Sequence, residues 1–191
     1  KGGPEQLLAF ERLLQRRKDL HGKIRLMHVS VVANRNMTAY AEIQAHIEQL
    51  AGRINGTFGT LEWQPLAFIS QPIPFDDLVA YYRAADVAWI TPLADGMNLV
   101  CKEYVASRVD GDGILVLSEF AGAAVELPSA VMTNPFSARS MDTAIEQALS
   151  MPEEERRHRM HAMREVVSRA DIKAWGDTQL SFGKRAAKTA A

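Results

Sequence analysis

The stretch 87–107, VAWITPLADGMNLVCKEYVAS, reads as a strand, a loop and a helix in succession. The apolar run 87–90 predicts a buried strand, and Pro92 ends it because proline lacks the N–H that a central strand must donate. A helix is expected from Asn98 to about Ser107, so Asp95 and Gly96 lie in the loop between the two elements. This unit sets the pattern for the rest of the chain.

The same alternation recurs along the whole sequence. Apolar runs predict further strands at 24–33, 66–69, 114–117 and 130–132. Helical spacing and turn signals predict helices from Pro4 to His21, over 38–54, from Asp76 onward, and over 137–149, 152–169 and 172–182, with a turn at Asn55-Gly56. Strands that alternate with helices imply an α/β fold, a Rossmann-like parallel sheet with helices on both faces.

Composition narrows the class of protein. The chain has 191 residues and a formal net charge of −1, which suits one lobe or domain and gives no basic footprint for nucleic acid. Cys101 is the only cysteine, so no internal disulfide framework is possible and a reducing, cytoplasmic setting is expected. No apolar run reaches the roughly 18 residues of a membrane span. The start at Lys1 without an initiator Met suggests a fragment.

In a doubly wound sheet, ligands bind at the carboxyl ends of the strands. The loops to inspect are therefore 34–37, 71–75, 92–98 and 119–123. The third of these precedes a helix whose first N–H groups lack intrahelical partners, and Gly96 would let a ligand approach the backbone closely. Such a helix start favours an anion, for example a diphosphate.

Two carboxylates flank this helix start. Asp95 could accept from a sugar hydroxyl, and Glu103, eight residues later, could reach a ribose diol. The plainer alternative is that Asp95-Gly96 is an ordinary turn and Asn98 an N-cap. Arg35 follows the strand 24–33 and could clamp a phosphate, although a solvated charge is as good a reading. Lys1 could bind a phosphate too, although a terminal lysine is normally only solvated.

Four segments together resemble a known family. They are 52–56 (GRING), 91–100 (TPLADGMNLV), 102–106 (KEYVA) and 115–124 (LVLSEFAGAA), in order and with matching spacing. They look like the trehalose-6-phosphate synthase family of retaining glucosyltransferases, which includes the glucosylglycerol-phosphate synthases. The resemblance implies that residues 1–191 form the C-terminal, nucleotide-sugar-binding lobe of a GT-B enzyme, whose N-terminal acceptor lobe is absent from this chain.

The resemblance also implies a role for each position that matches. Lys1 and Asp95 would be catalytic, Lys1 at the donor diphosphate and Asp95 at the donor glucose, while Arg35 would hold the acceptor's phosphate. Glu103 would bind the ribose, and the backbone near Ile73 would meet the nucleobase. The full donor-binding set is Lys1, Ile73, Asp95, Gly96, Met97, Asn98, Leu99, Val100 and Glu103.

The implied reaction is front-face transfer with retention, without a metal or a cofactor. Its partners would be a nucleotide-activated glucose, a phosphorylated acceptor and the missing lobe, with no nucleic acid and no membrane. Most trehalose-6-phosphate synthases carry Arg where Ala94 stands, and the stretches 125–128 and 133–137 look more like glucosylglycerol-phosphate synthases. Glycerol 3-phosphate is therefore the favoured acceptor. The alternatives are trehalose-6-phosphate synthesis from glucose 6-phosphate, and a regulatory lobe that binds without turnover.

Overall fold

The computed structural model describes residues 1–31 and 38–169, together with Gly176 and Ser181. Six helices and five strands alternate along the described chain. The helices are α1 (Gly3–Arg16), α2 (Thr38–Phe58), α3 (Phe75–Ala84), α4 (Leu99–Ser107), α5 (Ala138–Ser150) and α6 (Glu153–Arg169). The strands are β1 (Leu26–Val29), β2 (Leu66–Ile69), β3 (Val87–Ile90), β4 (Ile114–Ser118) and β5 (Val131–Thr133), and short 3-10 helices lie at Lys18–Leu20 and Gly122–Ala124.

All strand pairs are parallel, as the alternation predicts. β1 pairs with β2, and β4 lies between β3 and β5, so the strands form two sheets rather than one continuous sheet. The side-chain amide of Gln6 lies between the two sheets. Its nitrogen donates to the carbonyl of Trp89 in β3, and its oxygen lies 2.7 Å from Nδ1 of His28 in β1. The buried amide therefore links the sheets where no ladder does.

Helices cover both faces of the three-stranded sheet, which confirms the expected α/β fold. Alternate residues of β4 point to opposite sides, as strand geometry requires. Ile114 and Val116 pack with residues of α1, α2 and α5 in one core, while Leu115 and Leu117 pack with residues of α4 and α6 in a second core. β4 is buried along its whole length, as expected for a central parallel strand.

Three element boundaries differ from the sequence-based expectation. The strand predicted over 24–33 is shorter, because only Leu26–Val29 finds a partner in β2, and Val31 is 48% exposed. Residues 32 and 33 lie outside the described residues. The turn predicted at Asn55-Gly56 is wrong, since α2 continues to Phe58. The side chain of Asn55 instead bonds both the N–H and the carbonyl of Leu66, which fastens α2 to β2.

The helix predicted from Pro4 to His21 ends at Arg16, and a 3-10 helix at Lys18–Leu20 follows it. The other elements agree with expectation to within a residue or two. Ser137 caps α5 by accepting from the Ser140 N–H, which is why that helix starts there. Tyr81 on α3 is 42% exposed. Of the helix predicted over 172–182, only Gly176 and Ser181 are described, and both are helical. No helix within the described ranges is both long and apolar enough to cross a bilayer.

Candidate functional site

The Asp95 loop (residues 91–98) joins β3 to α4 at the carboxyl edge of the sheet. A second segment, the Phe120 loop (residues 119–124), follows β4 and holds the Asp95 loop by its backbone. Asp95 N–H donates to the Phe120 carbonyl at 3.1 Å, and the N–H groups of Gly122 and Ala123 donate to the carbonyls of Asp95 and Met97, both at 2.8 Å. The two loops therefore form one hydrogen-bonded unit beside the start of α4.

Gly122 lets the two loops approach this closely. A Cβ atom at Gly122 would lie 2.2 Å from the Gly96 carbonyl oxygen and 2.7 Å from its carbon. Both of those atoms are backbone, so they could not rotate away as a side-chain tip would. Only glycine fits at this point without displacing the Asp95 loop.

The Asp95 carboxylate is the centre of a small polar cluster. It accepts from Lys1 Nζ at 2.6 Å, from the Met97 N–H at 3.2 Å and from Asn98 Nδ2 at 3.2 Å. The hydrogen bond from Lys1 and those from Met97 and Asn98 lower the pKa of Asp95 against the opposing effect of burial. The side chain of Asp95 is 14% exposed, whereas that of Lys1 is 83% exposed. The lysine can thus leave the carboxylate without disturbing packing.

Asn98 orients the start of α4. It adopts a left-handed backbone with φ 75° and ψ 88°, which is uncommon for a residue with a side chain. Its Oδ1 accepts from the Cys101 N–H at 3.1 Å, while its Nδ2 holds Asp95. The N–H groups of Leu99 and Val100 come just before the capped N–H of Cys101. They have no acceptor in the part of the chain that the structure describes. These two donors are free to meet an anion.

Lys1 reaches this cluster because α1 begins against the end of β3. Gly2 has φ 74°, and a Cβ there would lie 1.8 Å from the carbonyl oxygen of Thr91. The Thr91 hydroxyl donates to the Gly2 carbonyl at 3.2 Å. The tight contact places Lys1 directly over the Asp95 loop, although the two residues are 94 positions apart.

Glu103 lies on the second turn of α4, and Tyr82 of α3 faces it. The Tyr82 hydroxyl donates to Oε2 of Glu103 at 3.0 Å. Burial, together with the neighbouring Glu103 charge, raises the pKa of Tyr82, so the phenol stays protonated as a donor. The Tyr82 ring stands edge-on to Tyr104, with centroids 6.4 Å apart and the planes at 80°.

The structure brings most of the residues expected at the site together, but not all. Lys1, Asp95, Gly96, Met97, Asn98, Leu99 and Val100 meet at the start of α4, with Glu103 one turn further along. Ile73 lies in the loop between β2 and α3, and no hydrogen bond among the described residues joins it to the Asp95 loop. Arg35 lies outside the described residues.

The structure also shows the surroundings of the single cysteine and of the side chains that could bind a metal. Cys101 is fully buried, and burial raises the pKa of its thiol to about 11, which keeps the thiol protonated at neutral pH. Within the described ranges, no group of three or more His, Cys, Asp or Glu side chains is placed to hold a metal ion.

Sequence reasoning missed four residues that shape the site: Gly2, Tyr82, Thr91 and Gly122. The pair Gly2-Gly3 before Pro4 offered a weak signal of a close backbone approach. The other three act through contacts with residues far along the chain, which a linear pattern does not display.

Comparison with known proteins gives the site a context. Residues 1–184 match glycosyltransferase family 20. Glucosylglycerol-phosphate synthases of Picosynechococcus sp. and Pseudomonas anguilliseptica are 46% and 48% identical over 98% and 95% of this chain. A trehalose-6-phosphate synthase of Klebsiella pneumoniae is 46% identical over 92% of it. The chain spans 37%, 24% and 37% of those three proteins, so it corresponds to well under half of each.

Solved structures share the fold. The trehalose-6-phosphate protein of E. coli bound with UDP-2-fluoro glucose superposes with a TM-score of 0.91 at 42% identity. The α,α-trehalose-phosphate synthase of Burkholderia xenovorans in complex with glucose-6-phosphate gives a TM-score of 0.91 at 38% identity. Each comparison covers 95% of this chain and 40% of the other, and these matches confirm the expected fold of a GT-B lobe.

Proposed function

Because the chain belongs to glycosyltransferase family 20, we propose that residues 1–191 are the C-terminal, donor-binding lobe of a retaining glucosyltransferase. The enzyme would move glucose from a nucleotide sugar to a phosphorylated acceptor. An N-terminal lobe, outside this chain, would supply the rest of the acceptor site. The short coverage of the relatives supports this division, since the chain spans 37% of two of them.

One observation carries the proposal. At the start of α4, a lysine ammonium lies 2.6 Å from a carboxylate, beside two backbone amides that have no acceptor among the described residues. A diphosphate needs the cation and the amides, and a glucose hydroxyl needs the carboxylate as acceptor. The plainer reading of Asp95-Gly96 as an ordinary turn does not explain why Lys1 lies there.

The proposed mechanism follows from the same groups. Lys1 would move from Asp95 to the diphosphate when the donor binds, and its exposed stem allows that motion. The lysine and the amides of Leu99 and Val100 would then stabilise the charge that develops on the departing diphosphate. Asp95, released by Lys1, would accept from a glucose hydroxyl. The acceptor's proton would pass to the departing phosphate oxygen on the same face of the sugar, which retains the configuration.

We propose glycerol 3-phosphate as the acceptor, with glucosylglycerol phosphate as the product. Two observations support this choice over glucose 6-phosphate: Ala94 stands directly before Asp95, and relatives at 46% and 48% identity are named glucosylglycerol-phosphate synthase. Arg35 would hold the phosphate of either acceptor, so it does not distinguish the two.

A donor-by-acceptor assay tests the proposal. The protein that carries this chain, at its natural length, would be given ADP-glucose or UDP-glucose with glycerol 3-phosphate or glucose 6-phosphate. We expect glucosylglycerol phosphate, and we expect its formation to persist in EDTA. Product only from glucose 6-phosphate would overturn the acceptor, and donor binding without any transfer would point to a regulatory lobe instead.

A further inference from the structure

We propose that Tyr82 is a positioning residue for recognition of the donor's ribose. Its hydroxyl holds one carboxylate oxygen of Glu103, so that the other oxygen is presented to the ribose diol. The inference rests on the proposed function, in which Glu103 binds the ribose.

The geometry around Glu103 is asymmetric. Oε2 accepts from the Tyr82 hydroxyl at 3.0 Å, while Oε1 has no hydrogen-bond partner among the residues that the structure describes. Glu103 follows the free amides of Leu99 and Val100 by one helical turn, on the helix that would hold the diphosphate. A carboxylate with one oxygen held and one free is suited to a single directed contact with a hydroxyl.

Tyr82 is itself held in place, so it can fix its partner. Its ring packs edge-on against Tyr104, which is fully buried and whose hydroxyl donates to the carbonyls of Ala85 and Asp86 at 3.2 and 3.3 Å. Glutamate has several rotatable bonds, and ordering it on ligand binding costs conformational entropy. The tyrosine imposes that order before the ligand arrives, which is how a supporting residue raises affinity without touching the ligand.

The alternative is a purely structural role, in which the hydrogen bond between Tyr82 and Glu103 only joins α3 to α4. The two roles differ in one measurable respect. A purely structural contact affects every nucleotide alike, whereas a positioning contact affects only nucleotides that carry the ribose hydroxyls.

The experiment replaces the hydroxyl alone. Y82F keeps the ring against Tyr104 and removes the donor to Glu103. In the natural-length protein, we expect ADP or UDP, whichever the active donor contains, to bind about three- to tenfold more weakly, the scale of one lost hydrogen bond. The matching 2′,3′-dideoxynucleoside diphosphate should bind Y82F and wild type equally. In turnover, KM for the nucleotide sugar should rise while kcat changes little.

Two further variants make the outcomes distinct. Y81F removes the same atom from the exposed neighbour and should leave both affinities unchanged. E103Q should weaken the ribonucleotide; if it does not, Glu103 does not bind ribose and the proposed role of Glu103 fails. If E103Q weakens binding while Y82F matches wild type, the inference about Tyr82 is wrong. Equal weakening of ribose and dideoxy forms by Y82F would also overturn it.

Discussion

Asp95 accepts three hydrogen bonds that come from three different positions in the chain. Met97 and Asn98 are local, and the third donor, Lys1, arrives through the packing of α1 on β3. The three donors hold the carboxylate ionised, in agreement with its lowered pKa. We therefore expect the site to depend on the charge of this residue more than on its shape.

Asp95→Asn tests that dependence. The amide keeps the size of the side chain but removes the charge that receives Lys1 and a sugar hydroxyl. We expect kcat to fall by about 100-fold or more, the scale for a lost group at the reacting centre. The melting temperature should change little, because Lys1 is 83% exposed and exposed ion pairs contribute little to stability.

The matched control is Glu119→Gln, which neutralises an exposed carboxylate in the adjacent Phe120 loop. It should leave the initial rate near that of wild type. A similar loss of rate in both variants would show that general charge, rather than the position of Asp95, governs activity.

His28 is a second residue whose surroundings set its chemistry. It is 8% exposed, and burial lowers its pKa from the usual 6.5 to about 4. The unfolded chain takes up the proton near pH 6.5, and the folded chain does so only near pH 4. The buried neutral His28 therefore does not lower the free energy of unfolding above pH 6.5. As the pH falls from 6.5 toward 4, that free energy decreases by about 3 kcal/mol in total.

We expect the free energy of unfolding, measured by denaturant titration, to fall across that window. His28→Asn should flatten the slope, since asparagine can still donate to the Gln6 oxygen but does not titrate. The carboxylates of Asp19 and Asp112 have pKa values of about 2, so they titrate below this window. An unchanged slope in the variant would contradict the assignment to His28.

Among the secondary structure elements, the Phe120 loop matters most to the site although it donates no side chain to it. Its backbone hydrogen bonds to Asp95 and Met97, together with the close contact at Gly122, fix the position of the Asp95 loop relative to α4. The other end of α4 is fastened as well, because Arg164 of α6 donates to the carbonyls of Val105 and Ala106. The helix that would receive the diphosphate is thus held at both ends.

Gly122→Ala should displace the Asp95 loop while both cores remain packed. We expect donor affinity and kcat to fall together by about tenfold or more, because a shift of about 1 Å at a reacting group costs on that scale. Initial rates and nucleotide-sugar binding would measure it. Gly52→Ala is the matched control: no atom lies within 4 Å of the added Cβ, and alanine there should stabilise α2 by up to about 1 kcal/mol. Full activity in Gly122→Ala would show that the contact at Gly122 does not hold the Asp95 loop in its active position.

At the scale of the whole molecule, the proposed function makes this chain one side of a site. The Asp95 loop lies at the carboxyl edge of the sheet, Lys1 is open to solvent, and the relatives are about three to four times as long as the part that matches. On the proposed division, Arg35 would hold only the acceptor's phosphate, while the N-terminal lobe would supply the rest of the acceptor site and exclude water from the reacting atoms.

We therefore expect the isolated 191-residue chain to show no glucosyl transfer, with the natural-length protein as the positive control. Product formation by the isolated chain, followed by chromatography of labelled glucose, would contradict the proposed division into lobes.

From the amino-acid sequence one could predict the alternation of strands and helices and the apolar strand β4, and one could propose an anion site at 91–100. These follow from periodicity and from local turn chemistry, which depend on neighbours along the chain. The same local reasoning wrongly predicted a turn at Asn55-Gly56. The side chain of Asn55 forms hydrogen bonds to the backbone of Leu66 in β2 rather than to its own backbone.

The residues that complete the candidate site are far apart in the chain, and their contacts are visible in the folded structure alone. Lys1 meets Asp95, Tyr82 meets Glu103 and Gly122 meets Gly96 across separations of 94, 21 and 26 positions. Side chains that meet across a sheet edge or between helices leave no periodic trace in the chain. The packing of the sheets and helices decides which of these side chains meet. That packing brings distant residues to the start of α4 and forms a candidate donor site there.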